Sequence, residues 1–236
     1  MDRQASSSAP TRHSNAGFVI AVDGPAASGK GTIATMLGEA YGLPVLDTGL
    51  LYRAVGVTLE RLGGDLDDEA AAAAVARGLD ARCLADPALR TASSGEAASR
   101  VAAHPAVREA LLALQRAFAA QASGAVIDGR DIGTVIAPDA PAKLYVTASA
   151  PERARRRWRQ LADAGEATTY EDVLLDIERR DVRDAGRADA PMKPADDAVL
   201  LDTTEMTISA AADAARRIVE AARARWETTS QGTSPG

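Results

Sequence analysis

Nine residues from Gly24 to Thr32, GPAASGKGT, combine three glycines, one lysine and two hydroxyls. Glycine lets a backbone take positive φ and approach a ligand closely, so successive N–H groups converge on an anion. The apolar run FVIAV, Phe18 to Val22, precedes them and predicts a short buried strand, while TIATMLGEAYG, from Thr32, predicts a helix closed by Gly42. The glycines therefore fall on a strand-to-helix turn, where the positive end of the helix dipole strengthens the anion site. The chemistry this suits is phosphate binding. Gly24 to Gly29-Lys30 fits G-x-x-x-x-G-K, with Gly31 next and the expected hydroxyl displaced to Thr32.

Four further apolar runs end in polar or acidic residues: LPVLD, AVID, KLYVT and AVLLD, finishing at Asp47, Asp128, Thr147 and Asp202. Helical stretches separate them, among them REALLALQRAFAAQ and ISAAADAARRIVEAARARW. The alternation predicts an α/β protein with a five-stranded, mostly parallel sheet flanked by helices. Ligands of such sheets bind at the carboxyl ends of the strands. Directly after two of those ends come DTGLLYR, Asp47 to Arg53, and DGRDIGT, Asp128 to Thr134. Each has a structural alternative: Asp47 and Asp128 as helix N-caps, Arg53 and Arg130 as surface ion pairs. Two such segments at the edge that carries the glycine turn favour function.

The rest of the composition narrows the class. A chain of 236 residues with 46% hydrophobic content supports a real core. No eighteen-residue apolar run and no signal-peptide h-region occur, so a cytoplasmic protein without a membrane partner is expected. Residues 1–17 and 228–236 are rich in Ser, Thr, Gly and Pro and are expected to be tails around one domain over 18–227. Cys83 is expected to be a small buried hydrophobe, and one cysteine leaves no zinc site. The formal charge of −6 argues against nucleic-acid binding. Locally the balance reverses, with five arginines in RARRRWR (Arg153 to Arg159) and four in RRDVRDAGR (Arg179 to Arg187). Most of these suit solvated helix faces; a few suit phosphate.

These segments, together with ASRVAAHPAVREALLALQRAF, ERARRR, RDVRDAGRADAP and LLDTTEMTI, occur in the order found in bacterial cytidylate kinases, which the chain resembles from about Phe18 to Trp226. The K-G-T ending of the glycine loop is likewise similar to the P-loops of nucleoside monophosphate kinases. The resemblance implies a P-loop fold that transfers the γ-phosphoryl group of ATP to CMP or dCMP with Mg²⁺; a monomer is expected. It assigns ATP phosphates to Gly24, Pro25, Ala26, Ala27, Ser28, Gly29, Lys30, Gly31 and Thr32, with Thr32 beside the metal. It assigns the monophosphate nucleotide to Thr48, Arg53, Ser99, Arg108, Arg130, Asp131, Asp184 and Arg187. Lys30, Arg130, Arg180 and Arg187 would act on the transferring group. Residues of about 48–124 would form the monophosphate-binding part and about 151–191 an arginine-rich lid, jointed at ADAGEATTY.

One departure stands out. Relatives commonly carry a longer insert with an extra strand pair where this chain has LDARCLADPALRTASSGEAAS, Leu79 to Ser99, so that small sheet is expected to be truncated or absent. The two histidines, His13 and His104, supply no evident base. None is needed, because an attacking phosphate with a second pKa of about 6 is already mostly dianionic at neutral pH. Rival classes fare worse: the only asparagine is Asn15, so no N-K-x-D segment of a GTPase is present. A UMP or AMP kinase is the runner-up, and a metabolite kinase comes behind it.

Overall fold

The computed structural model describes residues 17–231. Along β1 (Val19–Asp23) successive side chains face opposite sides of the sheet, and both sides are covered. Ile20 and Val22 pack with Ile33, Leu37 and Val219, whereas Val19 and Ala21 pack with Leu46, Ile127 and Ile132. Burial on both faces explains why FVIAV shows no polar alternation.

Five parallel strands form one sheet in the order β2-β3-β1-β4-β5, with β2 at Val45–Asp47, β3 at Ala125–Gly129, β4 at Ala142–Thr147 and β5 at Val199–Asp202. The expected α/β class holds, and the sheet is wholly parallel. Helices α1 (Lys30–Tyr41) and α8 (Ile208–Gln231) cover one face. Gly42 closes α1 in the left-handed conformation, φ 63°, its N–H bonded to Gly38 O.

Between β2 and β3 the chain builds a helical unit from α2 (Thr48–Arg61), α3 (Glu69–Arg77), α4 (Ala92–Val101) and α5 (Pro105–Ala119), with its own core around Leu51, Val55, Leu59, Val101 and Leu111. The two arginine-rich runs fall on or just past α6 (Ala150–Asp163) and α7 (Tyr170–Ala185), a helix pair packed through Ala154, Leu161, Val173 and Ile177. The segment from Leu79 to Ser99 contains two 3₁₀ turns, Ala81–Ala85 and Pro87–Arg90, and then α4, with no strand.

Two expectations need correction. Cys83 is exposed, because its 3₁₀ turn lies on the surface of the helical unit rather than within its core. The final helix runs to Gln231, so residues 228–231 are helical rather than part of a tail, the turns of α8 continuing through Thr228 and Thr229, whose hydroxyls bond back to carbonyls four residues earlier. Apart from Gly17, the remainder of both expected tails, with His13 and Asn15, lies outside the described residues. Among the described residues no helix is long and apolar enough to cross a membrane.

Helices α2 and α4 meet at a glycine: a Cβ on Gly56 would stand 2.8 Å from Ala97 Cβ. The Gly56→Val variant should therefore lose about 1–3 kcal/mol of stability through overpacking. Chemical denaturation checks it; a midpoint unchanged from wild type would show that α2 and α4 have room to separate.

Candidate active site

Gly24 has φ 146°, and a Cβ there would lie 1.9 Å from Val146 O, so only glycine lets the chain turn off β1 against β4. Gly29 follows at φ 91° as the N-cap of α1, and no side chain caps the helix. The first amides of α1 therefore lack the usual side-chain partner and remain suited to an anion. Ala27 also takes positive φ, 60°, and the hydroxyl oxygen of Ser28 is buried with no hydrogen-bond partner. Lys30 lies buried beneath this loop, with Nζ 3.4 Å from Pro25 O and 3.7 Å from Asp128 Oδ1. Burial and the neighbouring Arg130 push its pKa below the usual lysine value, against the pull of Asp128.

The loop forms one wall of a cleft of about 670 Å³. Ala26 to Thr32 line it, whereas Gly24 and Pro25 lie outside the lining and shape the loop from below. Asp47 and Asp128 meet here at the carboxyl ends of β2 and β3. Asp47 occupies the N-cap position of α2 but makes no capping bond, and Asp128 is a buried strand residue whose Oδ1 has no hydrogen-bond partner. The N-cap alternative thus fails for both. Thr48 spends its hydroxyl proton on Asp128 O at 2.8 Å.

The opposite wall is a network of buried ions. Asp184 on α7, 4% exposed, accepts from Arg130 Nε at 3.1 Å, from Ser99 Oγ on α4 at 3.2 Å, and from Arg187. Burial alone would raise its pKa, but Arg130, Arg187 and Arg180 outweigh that and hold it below the usual carboxylate value. Arg108 on α5 pairs with Asp131 and lies 5.8 Å from the centre of the Tyr52 ring. Its Nε, like those of Arg180 and Arg187, is buried without a hydrogen-bond partner, Asp189 Oδ2 standing 3.8 Å from it. Arg130 is therefore in a buried pair, not a surface one. Arg53 bonds no acid at all: it donates to Leu89 O, Thr91 O and Ser94 Oγ at 3.0, 3.3 and 2.8 Å. Burial, helped by Arg180 and Arg157, lowers its pKa to about 10.

The structure brings Thr48, Arg53, Ser99, Arg108, Arg130, Asp131, Arg180, Asp184 and Arg187 to the same cleft as the glycine loop. Sequence reasoning did not single out Tyr52, Arg156, Arg157 or Thr203, which also line it. The arginine-rich run pointed to Arg156 and Arg157 only as a segment. Its members are mostly paired: Arg153 with Asp181, Arg155 and Arg156 with Glu152, while Arg183 holds Glu96 at 2.8 and 3.1 Å. His104 sits at the N-cap position of α5, its Nε2 2.8 Å from Leu66 O, and does not line the cleft.

A phosphate loop facing a cleft of buried arginines fits many enzymes that handle nucleotides, and comparison with known proteins narrows the choice. A family model described as cytidylate kinase matches residues 20–222. The cytidylate kinase of Caulobacter vibrioides is 67% identical over 209 residues, covering 89% of this chain and 98% of that protein. That of Xanthobacter autotrophicus is 62% identical over 207 residues, covering 88% and 99%. A crystal structure of an uncharacterized protein from Eubacterium ventriosum matches with a TM-score of 0.50 at 14% identity, covering 86% of this chain and 98% of that one, a likeness of fold alone. The family match spans the glycine loop, the arginine helices and most of α8, and the relatives' identity covers nearly nine-tenths of the chain, so the chain belongs to the cytidylate kinase family.

Proposed function

We propose that this protein transfers the γ-phosphoryl group of ATP to CMP or dCMP, giving ADP and CDP or dCDP, in the cleft between the glycine loop and the α4–α5–α7 wall. One observation carries this: a buried lysine at an uncapped helix start faces, across a single cleft, arginines whose Nε groups have no hydrogen-bond partner. Such donors suit phosphate oxygens, which arginine binds in pairs while remaining charged.

In this scheme Ala26 to Thr32 wrap the ATP phosphates and Lys30 reaches the transferring group. Arg130, Arg180 and Arg187 neutralise charge on its equatorial oxygens, and Arg53 takes part in holding the monophosphate. Phosphoryl transfer runs through a loose transition state, so positioning and cations carry the catalysis and no general base is required. Asp131 and Arg108 would read the base, with Ser99 beside them. A carboxylate accepts from cytosine N4, and a guanidinium donates to N3 and O2. Helices α6 and α7 would serve as the lid.

Mg²⁺ fits the donors present. The Thr32 hydroxyl and the Asp47 and Asp128 carboxylates are hard oxygens at one edge, and the unpartnered Asp128 Oδ1 is one of them. Among the described residues no group of three or more His, Cys, Asp and Glu could hold a metal ion, so phosphate and water oxygens would complete the octahedron around Thr32. When bound, Mg²⁺ would offset charge on the phosphates.

Three outcomes test these assignments. Lys30→Ala should fold normally yet lose about 10² to 10³ in kcat, the usual loss when one preorganised contact to developing charge is removed; half-normal turnover would sink the loop assignment. The wild type should favour CMP over UMP by at least about a hundredfold in kcat/KM, since unpaired polar groups discriminate strongly, while dCMP stays comparable. Arg108→Met and Asp131→Ala should narrow that ratio, and equal use of CMP and UMP would shift the assignment to another base. Adding an ATP analogue with CMP should slow hydrogen exchange across residues 151–191, because phosphates satisfy the partnerless guanidinium donors; unchanged exchange would contradict the lid.

A further inference from the structure

We propose that Asp23 is a positioning residue for base selection, holding the loop that presents Asp131. Asp23 ends β1 one residue before the glycine loop and is 3% exposed. Its two carboxylate oxygens each accept one backbone bond, from Ile132 N and from Gly133 N, both at 2.7 Å. Those amides open the single wide helical turn Ile132–Ile136, and Asp131 stands at its N-cap position.

An aspartate at an N-cap ordinarily turns its own carboxylate onto the amides two and three residues ahead. Asp131 does not. It makes no capping bond, its backbone is held at φ −143° and ψ 26°, and its carboxylate points to Arg108 instead. Asp23 supplies from the neighbouring strand an acceptor for Gly133 N, the amide two residues ahead that Asp131 leaves uncapped, and a second for Ile132 N, which leaves the Asp131 carboxylate in the cleft. The parallel register, with Asp23 opposite Gly129, brings the two together. The approach is close: a Cβ on Gly133 would lie 3.4 Å from Asp23 Oδ2 and 3.1 Å from Lys143 Cδ.

The arrangement is costly for the fold. Burial raises the Asp23 pKa to about 7 against the two backbone bonds, and the nearby Asp131 and Asp128 charges add to the rise. An apolar residue would pack more cheaply at the end of a strand buried on both faces. Without the Asp23 acceptors, the freed Gly133 amide would draw Asp131 back onto its own turn and away from Arg108, and the Ile132 amide would lose its partner.

This inference rests on Asp131 reading the base, and the test separates the two claims. Asp23→Asn, Asp23→Ser and Asp131→Ala are each assayed with CMP and with UMP at saturating ATP, and the KM for ATP is measured alongside. The Asn amide presents N–H donors to one of the two backbone amides, and the Ser hydroxyl offers one acceptor without a buried charge. Both Asp23 variants should narrow the CMP:UMP ratio in kcat/KM at least about tenfold, as Asp131→Ala does, with the KM for ATP within about threefold of wild type. A ratio unmoved by Asp131→Ala would overturn the base-reading assignment itself. A ratio narrowed by Asp131→Ala but kept by folded Asp23 variants, or equal losses for both nucleotides, would overturn the role given to Asp23. If neither Asp23 variant folds, amide exchange in the wild type decides: protected Ile132 and Gly133 amides support the anchor, and exchange at the rate of an open loop refutes it.

Discussion

One buried carboxylate, Asp184, answers several cations at once, and the cleft depends on it. Arg130 arrives from the end of β3, Ser99 from α4 and Arg187 from beyond the end of α7, and each donates to that single acid. Removing one partner of such a buried network typically costs about 3–5 kcal/mol, because the remaining charges stay desolvated. The network therefore does more than bind: it joins the sheet edge, the helical unit and the α6–α7 pair into one site. Its cations exceed its acids. Burial and the neighbouring Arg130 depress the pKa of Arg180, and burial and Arg180 depress that of Arg53, yet arginine remains charged where lysine would lose its proton. The local positive excess sits inside a chain whose net charge is −6, so the field that suits an anionic ligand is confined to the cleft.

A second buried arginine links that wall to the phosphate loop. Arg153 on α6 donates to Ala148 O at 2.8 Å, to Ala26 O at 3.3 Å and to both oxygens of Asp181. Ala26 is in the glycine loop, and Asp181 follows Arg180 on α7. The loop backbone and the helix bearing Arg180 and Asp184 thus share one guanidinium, whose planar fork fixes their relative position better than a flexible ammonium could. The parallel sheet makes this possible by delivering β1, β2, β3 and β4 to the same edge with their carboxyl ends aligned.

Several features were legible from local pattern. The strand runs, the glycine turn and the helix closed by Gly42 depend on neighbours in sequence, and periodicity and glycine placement encode them directly. The short Leu79 to Ser99 segment likewise announced the lack of a strand pair through its dearth of strand formers. Cys83 did not follow its residue type: the average cysteine is buried, but the 3₁₀ turn that carries it lies at the surface. Residues 228–231 were misjudged because Ser and Thr weaken helix propensity without forbidding a helix already propagated from Ile208.

The sequence by itself determined the phosphate loop, the α/β alternation and the set of chemical groups at the strand ends, since each is specified within a few consecutive residues. Only the tertiary structure decided which acid meets which arginine. RRDVRDAGR offers Asp181 and Asp184 three residues apart on one helix, yet the first serves Arg153 and the second serves Arg130, Arg187 and Ser99. Asp23 is one letter before the loop and indistinguishable there from a strand-end acid, and its partners lie 109 and 110 residues away. Charge pairing is set by distance and desolvation in three dimensions, and neither quantity is written in the order of residues along the chain.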